Sequence, residues 1–365
     1  SVARAPDRAK RLPGKAPPGL LRRPRYPGVM PLHPLRFAAS AIAGLGLLAG
    51  CASAPSGTAT PPGEGSPSPA VTASTAQVTT SAATSTTAGP ARVTEPAPQG
   101  LPRGGTEFFP RYRLFGYVGY PGDKVLGRLG EGDVEDRMAE LAKQSDDEGW
   151  AQGREIMPVM ELIVSLAVAT PEADGLYRLR MPDSAIASWL NVARRHKAIL
   201  LLDIQPGRAD FMSELKHVEK WLKEPDVGVA LDPEWAVDAG QVPGKVFGNT
   251  SGRELDACAA YLSGIVKANG LPEKMMVYHV LHPTIVRNEA DLKKHEGVVA
   301  LKSVDGIGSP AAKVDTWEKV VATTPKDIAM GFKLFFTEDV TRGGRLMTRA
   351  EVLALSPEPE YVMFE

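Results

Sequence analysis

From Leu101 onward, short runs of consecutive apolar residues alternate with stretches in which apolar positions recur every three or four residues. Runs of four to eight residues that are apolar on both faces mark strands buried on both sides, and the wider spacing marks amphipathic helices. The runs predict eight strands: Leu114–Gly119, Met157–Val164, Ile199–Ile204, Val227–Asp232, Met275–Val280, Val298–Val304, Ala329–Phe336 and Tyr361–Phe364. Between them the spacing predicts helices over Val134–Lys143, Ala185–His196, Ser213–Lys223, Arg253–Asn269, Ala290–Glu296, Ala311–Thr323 and Arg349–Leu355. Ser251-x-x-Glu254 and Thr348-x-x-Glu351 read as capping boxes, and Asn288 precedes another start.

Strand and helix in strict alternation predict an α/β fold with a parallel sheet. Eight such units in about 265 residues fit a (β/α)8 TIM-like barrel, with an open doubly wound sheet as the alternative. No Gly-x-Gly-x-x-Gly follows the first strand, which argues against a dinucleotide-binding domain. No helix follows Tyr361–Phe364, so either the segment Phe108–Tyr112 flanks the last strand or the element count is off by one.

The first hundred residues follow other rules. Residues 52–100 are almost entirely Ala, Ser, Thr, Pro and Gly, with only Glu64, Arg92 and Glu95 charged, and such a segment cannot bury enough apolar surface to offset its ordering entropy. Ahead of it, Met30 reads as a start site, followed by Arg36, the small apolar run Phe37–Ala49 and Leu48-Ala49-Gly50-Cys51. That run is too short to span a bilayer. It resembles the signal peptide of a bacterial lipoprotein, and the resemblance implies cleavage before Cys51, lipidation of that cysteine and anchoring on the outer face of the cytoplasmic membrane. The chain then divides into an over-extended start plus signal peptide (1–50), a lipidated cysteine with a disordered tether (51–100) and the barrel (101–365). A flexible tether of that length reaches roughly 40 Å.

Charge is uneven along the chain. The first fifty residues hold nine of the 42 Lys and Arg and one of the 43 Asp and Glu, so from Cys51 onward the net charge is −9. A chain without a basic stripe is a poor nucleic-acid binder. Only Cys258 remains beyond Cys51, so no internal disulfide is available, and its helical neighbours predict a buried apolar role.

In a barrel of this kind chemistry sits at the carboxyl ends of the strands. Those ends supply Tyr117 and Tyr120, Glu161, Asp203, Asp232-Pro233-Glu234-Trp235, His279 with His282, Lys302 with Asp305, and Lys333 with Glu338 and Asp339. Asp232 and Glu234 are the sharpest signal. A period of two would place both carboxyls on one side of the chain, where both cannot ionise cheaply, leaving a proton for general-acid work. Trp235 and Tyr117 are candidate sugar-stacking walls, Asp203 or Glu161 a second carboxylate, and Glu161, His279, Asp305 and Lys333 further substrate contacts.

The run Gly228-Val-Ala-Leu-Asp232-Pro-Glu234-Trp235 resembles the strand-four motif of family 18 chitinase-type glycoside hydrolases. Gly228, Asp232 and Glu234 match position by position; Ala230 stands where the family has an aspartate, and the family's strand-eight tryptophan would fall near Phe364. The resemblance implies a sugar-hydrolase-like barrel. The barrel, with its Asp-Pro-Glu-Trp and Lys-x-Phe-x-x-Glu-Asp stretches, also resembles secreted bacterial lipoproteins, which implies location and fold but no reaction.

The expectation is therefore a membrane-anchored lipoprotein whose barrel acts on a cell-envelope polysaccharide, with Glu234 as general acid, Asp232 and Asp203 as its catalytic partners, and no metal or cofactor. A non-catalytic glycan- or partner-binding lipoprotein is the alternative, favoured by Ala230 and by the short C-terminus. A metal-dependent hydrolase centred on His279 or His282 is the third, since His279-x-x-His282 at a strand end with Asp203, Asp232 and Asp305 on neighbouring strands could assemble a zinc-type site.

Overall fold

The computed structural model describes residues 92–365, so the expectations for the signal peptide, Cys51 and most of the tether lie outside the described residues. Eight parallel strands close into a barrel: β1 (Tyr112–Gly119), β2 (Glu155–Ala167), β3 (Ile199–Ile204), β4 (Val227–Leu231), β5 (Lys274–Val280), β6 (Val298–Val304), β7 (Ala329–Leu334) and β8 (Tyr361–Phe364). Each strand pairs with its neighbours in sequence, and β8 returns to β1 with Leu114 opposite Tyr361 and Tyr117 opposite Phe364. All eight expected strands are present.

The crossovers carry α1 (Val134–Asp147), α2 (Asp183–Arg195), the short pair α3 (Phe211–His217) and α4 (Glu219–Leu222), α5 (Gly252–Asn269), α6 (Pro310–Val321), α7 (Glu338–Gly343) and α8 (Arg349–Leu353). Thr348 forms the full reciprocal capping box with Glu351, whereas at Ser251 the side chain accepts from Glu254 N–H.

Three expectations need correction. The helix expected over Ser213–Lys223 is broken at Val218. The one expected over Ala290–Glu296 is only a 3-10 turn, Glu289–Asp291, after which the chain runs extended. There Asp256 Oδ1 accepts the Lys293 N–H at 2.9 Å and lies 2.8 Å from His295 Nε2, so a side chain of α5 takes the backbone donor that a further helical turn would have used. Phe108 does not flank β8 either. It joins Leu101, Tyr112, Met157, Met275 and the inward Tyr361 and Met363 of β8 in the inner core rather than covering the outer face of that strand, where Phe364 lies against Trp150, Phe115 and Phe336.

Residues 92–100, which composition assigns to the tether, run along α2. Asn191 Oδ1 accepts the N–H groups of Thr94 and Glu95, and Arg194 donates to the Glu95 carbonyl. A short antiparallel strand, Arg178–Arg180, pairs with the end of β2 and brings both arginines onto Glu214.

Two apolar layers result. Outward-facing strand residues pack beneath the helices, and alternate residues fill the barrel interior. The interior changes character in one pleat. In six strands the inward residue two places further on is polar: Val159 gives way to Glu161, Leu201 to Asp203, Ala230 to Asp232, Val277 to His279, Leu301 to Ser303 and Gly331 to Lys333. The lower barrel is thus a packed core and the upper barrel a chamber of charged groups.

Candidate functional site

The loops above that chamber hold its walls. Asp232 N–H donates to the Ile204 carbonyl and Asp305 N–H to the Val280 carbonyl, so each residue is fixed one step beyond its strand by the neighbouring one. The loop after β4 is tied to the loop after β3 by Val237 N–H on the Gly207 carbonyl at 2.9 Å. Gly207 has φ 63°, and a Cβ there would lie 2.5 Å from the carbonyl oxygens of Leu176 and Tyr177, so this crossing needs glycine.

β4 ends at Leu231, and Pro233–Trp235 forms a 3-10 turn. Strand periodicity therefore does not place Glu234, yet the turn brings it to the same point. An oxygen each of Asp232, Glu234 and Asp305 lie within 4.8 Å of one another, as do an oxygen each of Asp203 and Asp232 and a nitrogen of His279. Gln205 Nε2 donates to Asp232 Oδ2 at 3.1 Å. His279 is fully buried, with Nδ1 2.8 Å from Asp305 Oδ2 and Nε2 3.1 Å from Glu161 Oε1, the second contact lacking hydrogen-bond geometry. Ser303 donates to Asp305 Oδ1, and Lys333 lies 3.3 Å from Asp305 Oδ2 and 2.5 Å from Glu365 Oε2. Tyr361 donates weakly to Glu161 Oε2 at 3.4 Å.

Two aspartates in this chamber are driven in opposite directions. Burial, then the charges of Asp232 and Glu161, push Asp203 well above the usual carboxylate range. Burial also works to raise Asp305, but His279 and Lys333 outweigh it and hold Asp305 well below that range. Burial raises Asp232 to about 6 against the pull of His279 and Lys333, and burial beside Asp232 and Asp305 lifts Glu234 well above the usual carboxylate range. For His279 and Lys333, burial opposes the charged form, but the surrounding carboxylates prevail and both are raised.

Of the residues expected at the mouth, Glu161, Asp203, Asp232, Glu234, His279, Asp305 and Lys333 come together. Trp235 sits half-buried on the turn beside Glu234. Tyr117 does not join them: it is on the outer face of β1, its ring edge-on to Phe336 and Phe364 and its hydroxyl 2.5 Å from Gln144 Oε1. Phe364, aligned with the family 18 tryptophan, also faces outward. His282 is exposed, capping the turn at Thr284, because β5 has ended at Val280. Lys302 points out of the barrel to Glu289, and Asp339 is a structural anchor that accepts the Phe335 and Gly308 N–H groups. Gln205, Ser303, Tyr361 and Glu365 were not singled out from sequence; for the last three, extending the inward alternation of β6 and β8 would have found them.

The face around the chamber has a second feature. Val125, Phe247, Ile307 and Val340 are large apolar side chains left exposed, Phe247 by 60%, and they follow β1, β4, β6 and β7 at the carboxyl end of the barrel. A cavity of about 450 Å³ lies elsewhere, on the outer wall between α1 and α8, lined by residues that include Gln144, Met347, Arg349 and Phe364. Among the described residues no helix is long and apolar enough to cross a membrane. Neither a protein-family model nor a curated protein sequence matches this chain.

Proposed function

We propose that this barrel is a glycoside-hydrolase-like domain acting on a cell-envelope polysaccharide, held at the membrane through a lipidated Cys51. The observation that carries the reading is the position of Glu234: its Oε2 is buried and without a hydrogen bond, at the carboxyl end of the barrel, with oxygens of Asp232 and Asp305 within 4.8 Å. A carboxyl so placed can give its proton to a leaving-group oxygen brought against it. Asp232, fixed by Gln205, orients Glu234 from behind, and Trp235 and the exposed Phe247 offer flat apolar surface to sugar rings. The sequence Leu48-Ala49-Gly50-Cys51 supports the anchor, and the Ser/Thr/Pro-rich segment after it supports a tether long enough to reach wall polymers.

The test compares the wild type with the Glu234→Gln variant on the envelope glycans that the protein binds. Turnover should fall about 10²–10⁴-fold, the usual worth of a general acid, while glycan binding measured by calorimetry is kept. Unchanged turnover would remove Glu234 from the mechanism. Binding by both proteins with no turnover by either would favour the non-catalytic glycan-binding alternative.

A further inference from the structure

Five buried polar atoms in the chamber have no hydrogen-bond partner: Glu161 Oε1, Asp203 Oδ1, Asp232 Oδ1, Glu234 Oε2 and His279 Nε2. Buried polar atoms are almost always satisfied; Glu161 Oε1 and His279 Nε2 face each other at 3.1 Å, and the oxygens of Asp203, Asp232 and Glu234 have no such neighbour. An ionised carboxylate only accepts, and four of the five are carboxyl oxygens. Six carboxyl groups (Glu161, Asp203, Asp232, Glu234, Asp305, Glu365) share this space with one lysine, Lys333, and one imidazole, His279. A metal ion would take up the unshared carboxyl oxygens and, on binding, release the protons that such buried groups otherwise carry.

We propose that Asp203, Asp232 and His279 form a binding site for one divalent transition-metal ion. One oxygen from each aspartate and a nitrogen of His279 already lie within 4.8 Å of one another, and all three residues are more than nine-tenths buried. Metal–ligand distances of about 2.0–2.2 Å would draw these three atoms closer together. The supporting contacts are those of a ligand set. His279 commits Nδ1 to Asp305, which is itself held by Ser303 and Lys333, and Nε2, now 3.1 Å from Glu161 Oε1 without a hydrogen bond, is the nitrogen that would turn to an ion. Gln205 occupies the other oxygen of Asp232. One imidazole with two carboxylates fits Zn²⁺ or Mn²⁺ better than Mg²⁺ or Ca²⁺, which prefer all-oxygen surroundings.

Three protein ligands leave coordination positions open, and Glu234 stays outside the set. An ion here would chelate adjacent hydroxyls of a sugar and so place it against Glu234. That last role rests on the hydrolase reading; ion binding itself does not.

The experiment uses the full chain, stripped of metal with EDTA and titrated with Zn²⁺, Mn²⁺ and Mg²⁺ by calorimetry, with melting temperature followed in parallel. Zn²⁺ or Mn²⁺ should bind one per chain and raise the melting temperature, and Mg²⁺ should not bind. Asp203→Asn keeps the shape and removes one repelling charge. Without metal it should melt no lower than the stripped wild type, and it should bind the ion at least about tenfold more weakly, since altering even an outer-shell partner costs that much. Should that variant not fold, Asp232→Asn carries the same prediction. Glu234→Gln should keep the ion, so loss of hydrolysis with the ion retained separates failure of one reading from failure of the other. A stripped wild type that binds neither ion, or a folded Asp203→Asn that binds like the wild type, would overturn the site.

Discussion

Asp203 and Asp305 are the same residue type at the ends of two strands of one barrel, and their surroundings separate them. Asp203 faces other carboxyls, while Asp305 touches His279, Ser303 and Lys333. Residue type alone marked both as candidates; what each can do depends on neighbours that arrive from other strands. The same logic applies at the opposite end of the barrel, where Lys274 is buried with its Nζ on the carbonyls of Glu224 and Val227. Burial lowers its pKa to about 8, whereas a lysine in the unfolded chain titrates near 10.4. Between those values the unfolded state binds more protons, so this residue makes stability rise with pH across that window. Below pH 8 both states are protonated and the full cost of a buried ammonium is present. The stability difference between wild type and Lys274→Met should therefore shift in favour of the wild type from pH 7 to pH 10, measured by denaturant unfolding. A difference that stays flat would show that the lysine titrates normally.

At the scale of elements, strands were more legible than helices. Each strand is a short apolar run because both of its faces are buried, one in the barrel and one under a helix, and that requirement is written locally. The segment after Asn288 is different. Its shape is decided by Asp256 on α5, a contact far away in sequence, and no spacing within residues 290–296 reveals it. The Arg178–Arg180 strand was missed for the same reason, since its arginines are drawn in by Glu214 on α3. Site residues followed the strands. Where an inward alternation continued, as at Asp203 and His279, the sequence located them; Tyr117 was misplaced because its position on β1 is outward by one residue. The seam between β8 and β1 gives a direct test of element packing. Trp150 covers it by packing on Phe115 and Phe364, with Nε1–H donating to Glu148 at 2.7 Å. Trp150→Ala should cost about 3–5 kcal/mol in denaturant unfolding, the usual range for a buried tryptophan. A cost below about 1 kcal/mol would mean that the seam is closed by something other than this indole.

For the whole molecule, apolar packing and charged groups are separated along the barrel axis. The lower interior and the outer layer are apolar and packed, while the polar chamber and the exposed Val125, Phe247, Ile307 and Val340 share the carboxyl-end face. Placing charged, mutually repelling groups there weakens the fold locally, and the apolar packing beneath supplies the compensation. A face with a charged centre and apolar edges suits a polymer rich in hydroxyls and flat ring faces, which is the substrate class proposed for this domain. The measurement that bears most directly on that proposal is a proton NMR time course of cell-envelope polysaccharide with the wild type and with Glu234→Gln. New reducing-end signals are expected with the wild type and almost none with the variant. No new signals from any envelope glycan that the protein binds, or equal release by both proteins, would contradict the proposal.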